Sequence, residues 1–324
     1  MAVSLYQSAL TAEANGQYKK AGVIKTFVDT SPLLAAMPML PIMGNSFAWT
    51  RQVALGSAGT RAVNGSFSES AGTVENRSVG LKIIGGDLDV DQFLLATHGP
   101  EHRAIQEQAK AALIAQTISW QIIKGSVTAA GGATADANGI DGLQVRYGGG
   151  FGGTAVVDGG ENAAQILLNG GAGDALSLRD LDTAIQATEN PTHLLMAKKM
   201  RVNITAKLRG AASLATSRDE YGRIVTTYNG IPIIDADVLG TVSGLEQLGF
   251  NEGASSNRSS IYVLSLSDMG LAMVTNGGVQ VRDLGEQNAK AVQRTRVEMY
   301  CNIADMHPRC VTRLYNIADV VAVD

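Results

Sequence analysis

Hydrophobic and polar positions alternate with period two in two early runs of the chain. Phe47, Trp49, Arg51, Val53 and Leu55 alternate with Ala48, Thr50, Gln52 and Ala54. Val79, Leu81 and Ile83 alternate with polar or small residues over 77–85. Such alternation predicts half-buried strands. Between them, 56–73 is rich in Gly, Ser and Ala and offers no core-forming run. A structureless connection of that length does not suit the interior of a compact domain, so the pattern predicts a long two-stranded arm. An isolated hairpin is marginal in water, and the arm therefore needs a partner surface.

The clearest helix is predicted over 99–124, with Pro100 at its first position, Glu101 at the positive end of its dipole and Gly125 ending it. Ile105, Ala109, Ala112, Leu113, Gln116, Trp120 and Ile123 follow helical spacing, and Ile114, Ile118 and Ile122 form a second stripe. Two apolar stripes predict a helix covered on two sides. Residues 125–173 hold fifteen of the 37 glycines and read as turn-rich. Regular α/β patterning follows. Ser177 caps a helix carrying Leu178, Leu181, Ala184 and Ile185, which Asn190-Pro191 stops. Leu194 to Met196 is a short buried strand, and a second helix carries Met200, Ile204, Leu208 and Ala211. Ile224 to Tyr228, Asn229-Gly230 and Ile231 to Ile234 predict a hairpin. Further strands are expected at 261–264 and 279–281 and at 297–303, and after the His307-Pro308 turn at 311–317. Residues 1–44, with Lys19, Lys20 and Lys25 and prolines at 32, 38 and 41, are expected to form an extended arm that packs on something else.

Composition narrows the function. At 324 residues the chain has about two domains' worth of material, enough for a sizeable core. Its net charge of −4 disfavours a dedicated nucleic-acid binder. Two cysteines exclude a disulfide scaffold. Charged residues are only 17% and aromatics 5%, which leaves little ordinary charged surface and suggests that much of it is hidden against other copies. The start, 1–17, lacks a basic, apolar leader, and the apolar stretch 32–43 is proline-broken and too short to span a bilayer. The expectation is a soluble protein made in a reducing cytoplasm, in which the N-x-[ST] matches at Asn64, Asn76, Asn203 and Asn257 are chance.

Each catalytic signal has a better structural explanation. His98-Gly99-Pro100-Glu101-His102 matches the inverted zinc-peptidase pattern, which needs both imidazoles on one helix. Pro100 marks a helix start, so His98 is expected to lie before it and to share no face with His102. Gly148-x-Gly150-x-x-Gly153 matches the dinucleotide fingerprint, but a strand, not a helix, is expected after it. Asp87, Asp89 and Asp91 resemble the start of a calcium loop, yet Gln92 replaces the required glycine and His98 the final Glu, so a solvated strand end is expected. Cys301, His307 and Cys310 are close in sequence, but the alternation puts Cys301 on an apolar face, where a free Cys packs as a small hydrophobe. No metal site, no cofactor site and no catalytic residue is expected.

The order of the parts resembles the major capsid protein of tailed bacteriophages, the Hong Kong 97-like shell fold. Phe47-Ala48-Trp49-Thr50-Arg51 with Ser78-Val79-Gly80-Leu81-Lys82-Ile83 looks like the strands of its E-loop. Gly139-Ile140-Asp141-Gly142-Leu143 resembles the turn that opens its A-domain after the spine helix. The stretch Tyr300 to Arg309 with Arg313-Leu314-Tyr315-Asn316-Ile317 resembles the C-terminal strand and His-Pro-Arg turn of a capsid subfamily. The resemblance implies an α+β chain with an N-terminal arm (1–44), E-loop (45–93), spine helix of the P-domain (94–126), A-domain (127–285) and P-domain return strands (286–324). It implies a structural protein, not an enzyme, forming pentamers and hexamers of an icosahedral head around double-stranded DNA. Its implied partners are other copies of itself, a separate scaffolding protein, a portal, non-specifically contacted DNA and a decoration protein, with no membrane. It would be assembled in a host bacterial cytoplasm and found in the virion. Arg51, Arg61, Glu69, Glu75 and Arg77 are the main charges of the arm and are expected at intersubunit contacts. The cross-linking lysine of the fold's founding member has no counterpart between Gly44 and Leu81. Since only about 44 residues precede the E-loop, by a boundary good to ~2–4 residues, the scaffold is expected to be encoded apart from this chain, the other reading being a chain already cleaved before Met1. Two alternatives stand beside this reading. One is an encapsulin nanocompartment, disfavoured by the long N-terminal arm; the other is a zinc hydrolase using His98, Glu101 and His102.

Overall fold

The computed structural model of the chain describes residues 3–127, 136–148, 163–170, 175–209, 214–218, 224–236, 248–250, 252, 258–288 and 290–323. Its N-terminal part departs from the extended arm read from the sequence. The chain forms α1 (Leu5–Ala14), α2 (Tyr18–Thr30) and α3 (Pro32–Ala36) before a short strand, β1 (Met39–Pro41). The physical reason is periodicity. Leu5, Ala9 and Ala12, then Ala21, Ile24, Phe27 and Val28, recur at helical spacing and are all buried. Ser4 and Gln7 close a capping box on α1. The prolines delimit helices instead of extending the chain: Pro32 opens α3 behind its Ser31 cap. The Ser31 hydroxyl also meets that of Ser119 at 2.5 Å, fastening this region to the long helix.

The predicted hairpin is present. β2 (Ser46–Ala54) and β3 (Thr73–Gly80) pair antiparallel, from Ser46 opposite Gly80 outward, and form a sheet of their own. The run expected as one strand over 77–85 is broken at Leu81, after which β4 (Lys82–Asp91) joins the body. Next come α4 (Gln92–His98), the long α5 (Pro100–Lys124) and the single-turn α6 (Leu143–Arg146). The sequence reading missed α4. Asp91 caps it, accepting from the Phe93 N–H at 2.7 Å, and Gly99 at φ 78° turns it into α5.

The remaining elements are β5 (Ile166–Leu168), α7 (Leu178–Ala187), β6 (His193–Met196), α8 (Lys198–Lys207), β7 (Leu214–Arg218), β8 (Ile224–Tyr228), β9 (Ile231–Asp235), β10 (Arg258–Leu264), β11 (Leu271–Gln287), β12 (Lys290–Asp305) and β13 (Val311–Ala318). Seven strands run β5-β13-β10-β6-β9-β8-β7 in one sheet, and four run β1-β11-β12-β4 in another. As expected, Ser177 caps α7, and the hairpin turn has Asn229 and Gly230 both at positive φ. The strands expected near 279 and 297 are the inner parts of a much longer pair. β11 bulges against β12 between Thr275 and Val279, where Gly277 and Gly278 adopt φ of 75° and 62°.

Two polar seams fix these layers. Along β4 and β12, Arg296 and Arg294 grip Asp87 and Asp89 through paired hydrogen bonds of 2.6–2.9 Å. In the seven-stranded sheet, Arg313 is wholly buried. It pairs with Glu252 at 3.1 Å and donates to the carbonyl of Tyr147 at 3.0 Å. That single side chain joins the segment after α5 to the sheet.

Arg313→Ala is expected to leave the Glu252 carboxylate buried without its cation and to cost about 3–5 kcal/mol. A chemical-denaturation midpoint equal to that of the unmodified chain would contradict this. The β4–β12 seam carries a pH prediction. The hydrogen bonds from Arg296 and Arg294 hold Asp87 and Asp89 below the usual carboxylate range, against a smaller opposing effect of desolvation. A lowered folded-state pKa gives stability that is complete above the ordinary Asp value of about 3.9 and is lost as pH falls through the folded value. Protection factors of β4 amides should therefore fall on acidification below about pH 4, and Asp87→Asn/Asp89→Asn should abolish that dependence. Parallel curves for the two proteins would refute it.

Candidate intersubunit interface

The root of the β2–β3 hairpin is built from charge. Arg51 on β2 is only 3% exposed. Its Nε donates to Glu75 on β3 at 3.1 Å, and it faces Asp305, the last residue of β12, at 3.6 Å. Arg77 holds the other oxygen of Glu75 at 2.9 Å. Desolvation pushes the Glu75 carboxyl up, but Arg77 and Arg51 reverse that and hold it below its usual range. Asp305 is shared, since its second oxygen accepts from Arg146 of α6 at 2.7 Å.

The Gly139 to Leu143 turn brings Arg146 there. Gly142 N–H donates to Gly125 C=O at 2.8 Å, Ile140 N–H to the Gln121 side chain at 3.1 Å, and Val127 N–H to the Asp141 carboxylate at 2.8 Å. A Cβ on Gly142 would lie 2.7 Å from the Gln121 carbonyl oxygen, so only glycine lets the chain cross the end of α5 this closely.

Beyond the root, the arm has no regular structure between β2 and β3. Ser57 and Ser70 close its neck: the Ser70 hydroxyl accepts from Ser57 N–H at 2.5 Å and donates to Ser57 C=O at 3.0 Å. At the tip, Arg61 lies 5.3 Å over the Phe67 ring, and both Arg61 and Glu69 are exposed. Of the five charged residues expected at contacts, the structure thus gathers Arg51, Glu75 and Arg77 at the root of their own subunit and leaves Arg61 and Glu69 apart at the tip. Asp305 and Arg146 escaped the sequence reading. They lie far from the hairpin in sequence; the only hint was a carboxylate ending an apolar strand.

The stripe of the long helix that carries Ile105 is open only toward its N-terminal end; farther along, Ile123 of that stripe is buried, and no residue over 111–124 is exposed. Ile114, Ile118 and Ile122 are buried, with α2 and β4 packed against α5. On the other stripe Ala109 is exposed, Leu113 and Trp120 are half-buried, and Ile105 is 63% exposed. Phe93, on α4, is also exposed.

The chemistry-bearing motifs resolve as follows. As expected, His98 lies before the helix that Pro100 opens, at the end of α4, and shares no helix face with His102 of α5, although the two rings approach across the bend with centroids 5.4 Å apart. The left-handed Gly99 folds α4 sharply enough onto α5 to bring them together. Among the described residues, no group of three or more His, Cys, Asp or Glu is placed to hold a metal ion. Cys301 and Cys310 are buried, and burial pushes both thiols up to about 12, so neither is a thiolate at neutral pH. Asp91 caps α4, and Asp87 and Asp89 pair with arginines. Most of the glycine fingerprint, 149–153, lies outside the described residues. Among the described residues, no helix is long and apolar enough to cross a membrane.

The sequence matches no protein-family model and no curated protein. Solved structures do match over nearly the whole chain. The capsid of native GTA particles aligns with a TM-score of 0.58 at 13% identity, covering 89% of this chain and 91% of that one. The cyanophage A-1(L) capsid aligns with a TM-score of 0.57 at 18% identity, covering 90% and 93%. The SrpI encapsulin of Synechococcus elongatus PCC 7942 aligns with a TM-score of 0.56 at 15% identity, covering 90% and 89%. The chain has the fold of these shells, the Hong Kong 97-like fold.

Proposed function

We propose that this chain is the major shell subunit of a tailed-phage head, a structural protein whose copies form pentamers and hexamers and then an icosahedral shell around double-stranded DNA. The hairpin β2–β3 carries the reading. Outward of its root the hairpin is open in a single subunit, and Val53, Leu55, Val63, Phe67 and Val74 are 42–92% exposed along it. Apolar surface of that kind marks an interaction site. The uncovered N-terminal end of the α5 stripe that carries Ile105, and the exposed Phe93 of α4, offer matching apolar surface on another copy. Arg61 and Glu69 make the polar contacts at the far end. Arg51, Glu75 and Arg77 serve the same interface by aiming the arm. Each exposed ion pair contributes only ~0–1 kcal/mol, but repetition around a closed ring adds them through multivalency. Obligate interfaces bury roughly 2,000–5,000 Å², a scale suited to a chain with so little charge. A separate scaffolding protein, a portal and a decoration protein belong to the same proposal, as does non-specific contact with the packaged DNA.

One observation favours a second reading, a nanocompartment shell around a protein cargo. The N-terminal arm that set the chain apart from such shells is folded as α1, α2 and α3 on its own body.

Purified protein should scatter light as large closed or tubular particles once the scaffold is supplied. Replacing 58–69 by two glycines across the Ser57–Ser70 neck should leave the circular dichroism of the subunit unchanged and abolish the particles. Normal particles from that variant would refute the role of the arm. Nuclease-protected double-stranded DNA inside the particles supports the phage reading; a protein cargo without it supports the nanocompartment.

A further inference from the structure

The hairpin meets the body at two points, and both are held in the same way. Before β2, Gly44 has φ 112°, and its carbonyl accepts from the Asn276 side chain on β11 at 3.0 Å. After β3, the Gly80 carbonyl accepts from the Asn302 side chain on β12 at 2.6 Å. Leu81 N–H donates to Asn45 C=O at 2.7 Å and ties the two points together. Glycines at both ends of a two-stranded unit are positions that absorb backbone rotation. Outward of these pivots, Arg51 reaches from β2 to Asp305 of the body. Beside the root is a cleft of about 530 Å³ lined by Trp49, Arg77, Lys82, Asp141 and Arg146. The indole N–H of Trp49 is buried there with no hydrogen-bond acceptor among the described residues. The hairpin is therefore pinned at its pivots and by one buried arginine, with open volume on one side.

We propose that this is a hinged arm with an ionic latch: Gly44 and Gly80 are the pivots, and the contact of Arg51 with Asp305 sets the angle. Because Asp305 also accepts from Arg146, a shift of α6 changes how firmly Arg51 is held. The position of the α/β region behind α6 is thus coupled to the aim of the arm. The coupling runs both ways, as linkage requires. The proposal concerns the single subunit and does not depend on what the shell encloses.

The test uses the unassembled full chain with spin labels on Ser66→Cys at the tip and Thr183→Cys on α7; the buried Cys301 and Cys310 leave these as the reactive thiols. The doubly labelled chain with Arg51 and Asp305 intact should give one narrow distance distribution. Arg51→Met and Asp305→Asn should broaden it with far-ultraviolet circular dichroism unchanged, Arg146→Met should shift its mean, and Arg51→Lys should restore most of the sharpness. Distributions for Arg51→Met and Asp305→Asn as narrow as the background, with the same mean, would overturn the latch. Loss of the whole fold in both variants would equally overturn it, since a latch acts on the arm alone.

Discussion

A two-stranded sheet that touches its own body only at the root, through Arg51 and Trp49, satisfies its backbone but buries little, and farther out the described part of the chain provides no cover for it. This constraint organises the rest of the molecule. Strands of eight or nine residues with an irregular tip need an external surface to be worth their conformational entropy. They also need a stiff base, or any surface they find will be found in many orientations. The base is the four-stranded sheet, whose long pair β11–β12 supplies both the asparagines at the pivots and Asp305 at the latch.

The scarcity of charge has the same logic. Many of the charged side chains are engaged inside the subunit. Arg294 and Arg296 zip β4 to β12, and Arg103 of α5 reaches Glu107 and Asp283 while Lys19 of α2 reaches the same Asp283. Arg313 closes the larger sheet on the segment following α5. Charge is used to register layers inside one subunit, and the surface left over carries exposed apolar side chains such as Leu55, Val63, Phe67, Phe93 and Ile105. Half of α5 belongs to that surface. Its stripe of Ile114, Ile118 and Ile122 is satisfied by α2 and β4, and its second stripe is exposed at the N-terminal end, at Ile105 and Ala109.

The sequence was most legible where a single period or turn chemistry decides the outcome. The alternation of Phe47, Trp49 and Arg51, the Pro100 start of α5, the Ser177 cap and the Asn229-Gly230 turn all describe local physics, and each is found, whereas Val53 falls at a register shift and is exposed. Three features were not legible. The prolines at 32, 38 and 41 drew attention away from the helical spacing of Leu5 to Val28, although proline at a first position is compatible with a helix. The His98–His102 approach depends on the left-handed φ of Gly99, which no spacing rule conveys. At the candidate interface, the hairpin and its charges were evident, but their division between root and tip was not. Arg51 lies in phase with the inward-facing residues of its strand, and that phase was a hint of burial. Its partner Asp305 is brought to it only by the tertiary fold.

The most direct test of this account is electron cryomicroscopy of assembled particles at a resolution that traces the chain. The account predicts density for 55–72 lying across α5 of a neighbouring copy, with Ile105 and Phe93 beneath it and Arg51 still closed on Asp305 of its own subunit. A shell in which 55–72 folds back on its own subunit, with the second stripe of α5 left in solvent, would contradict it.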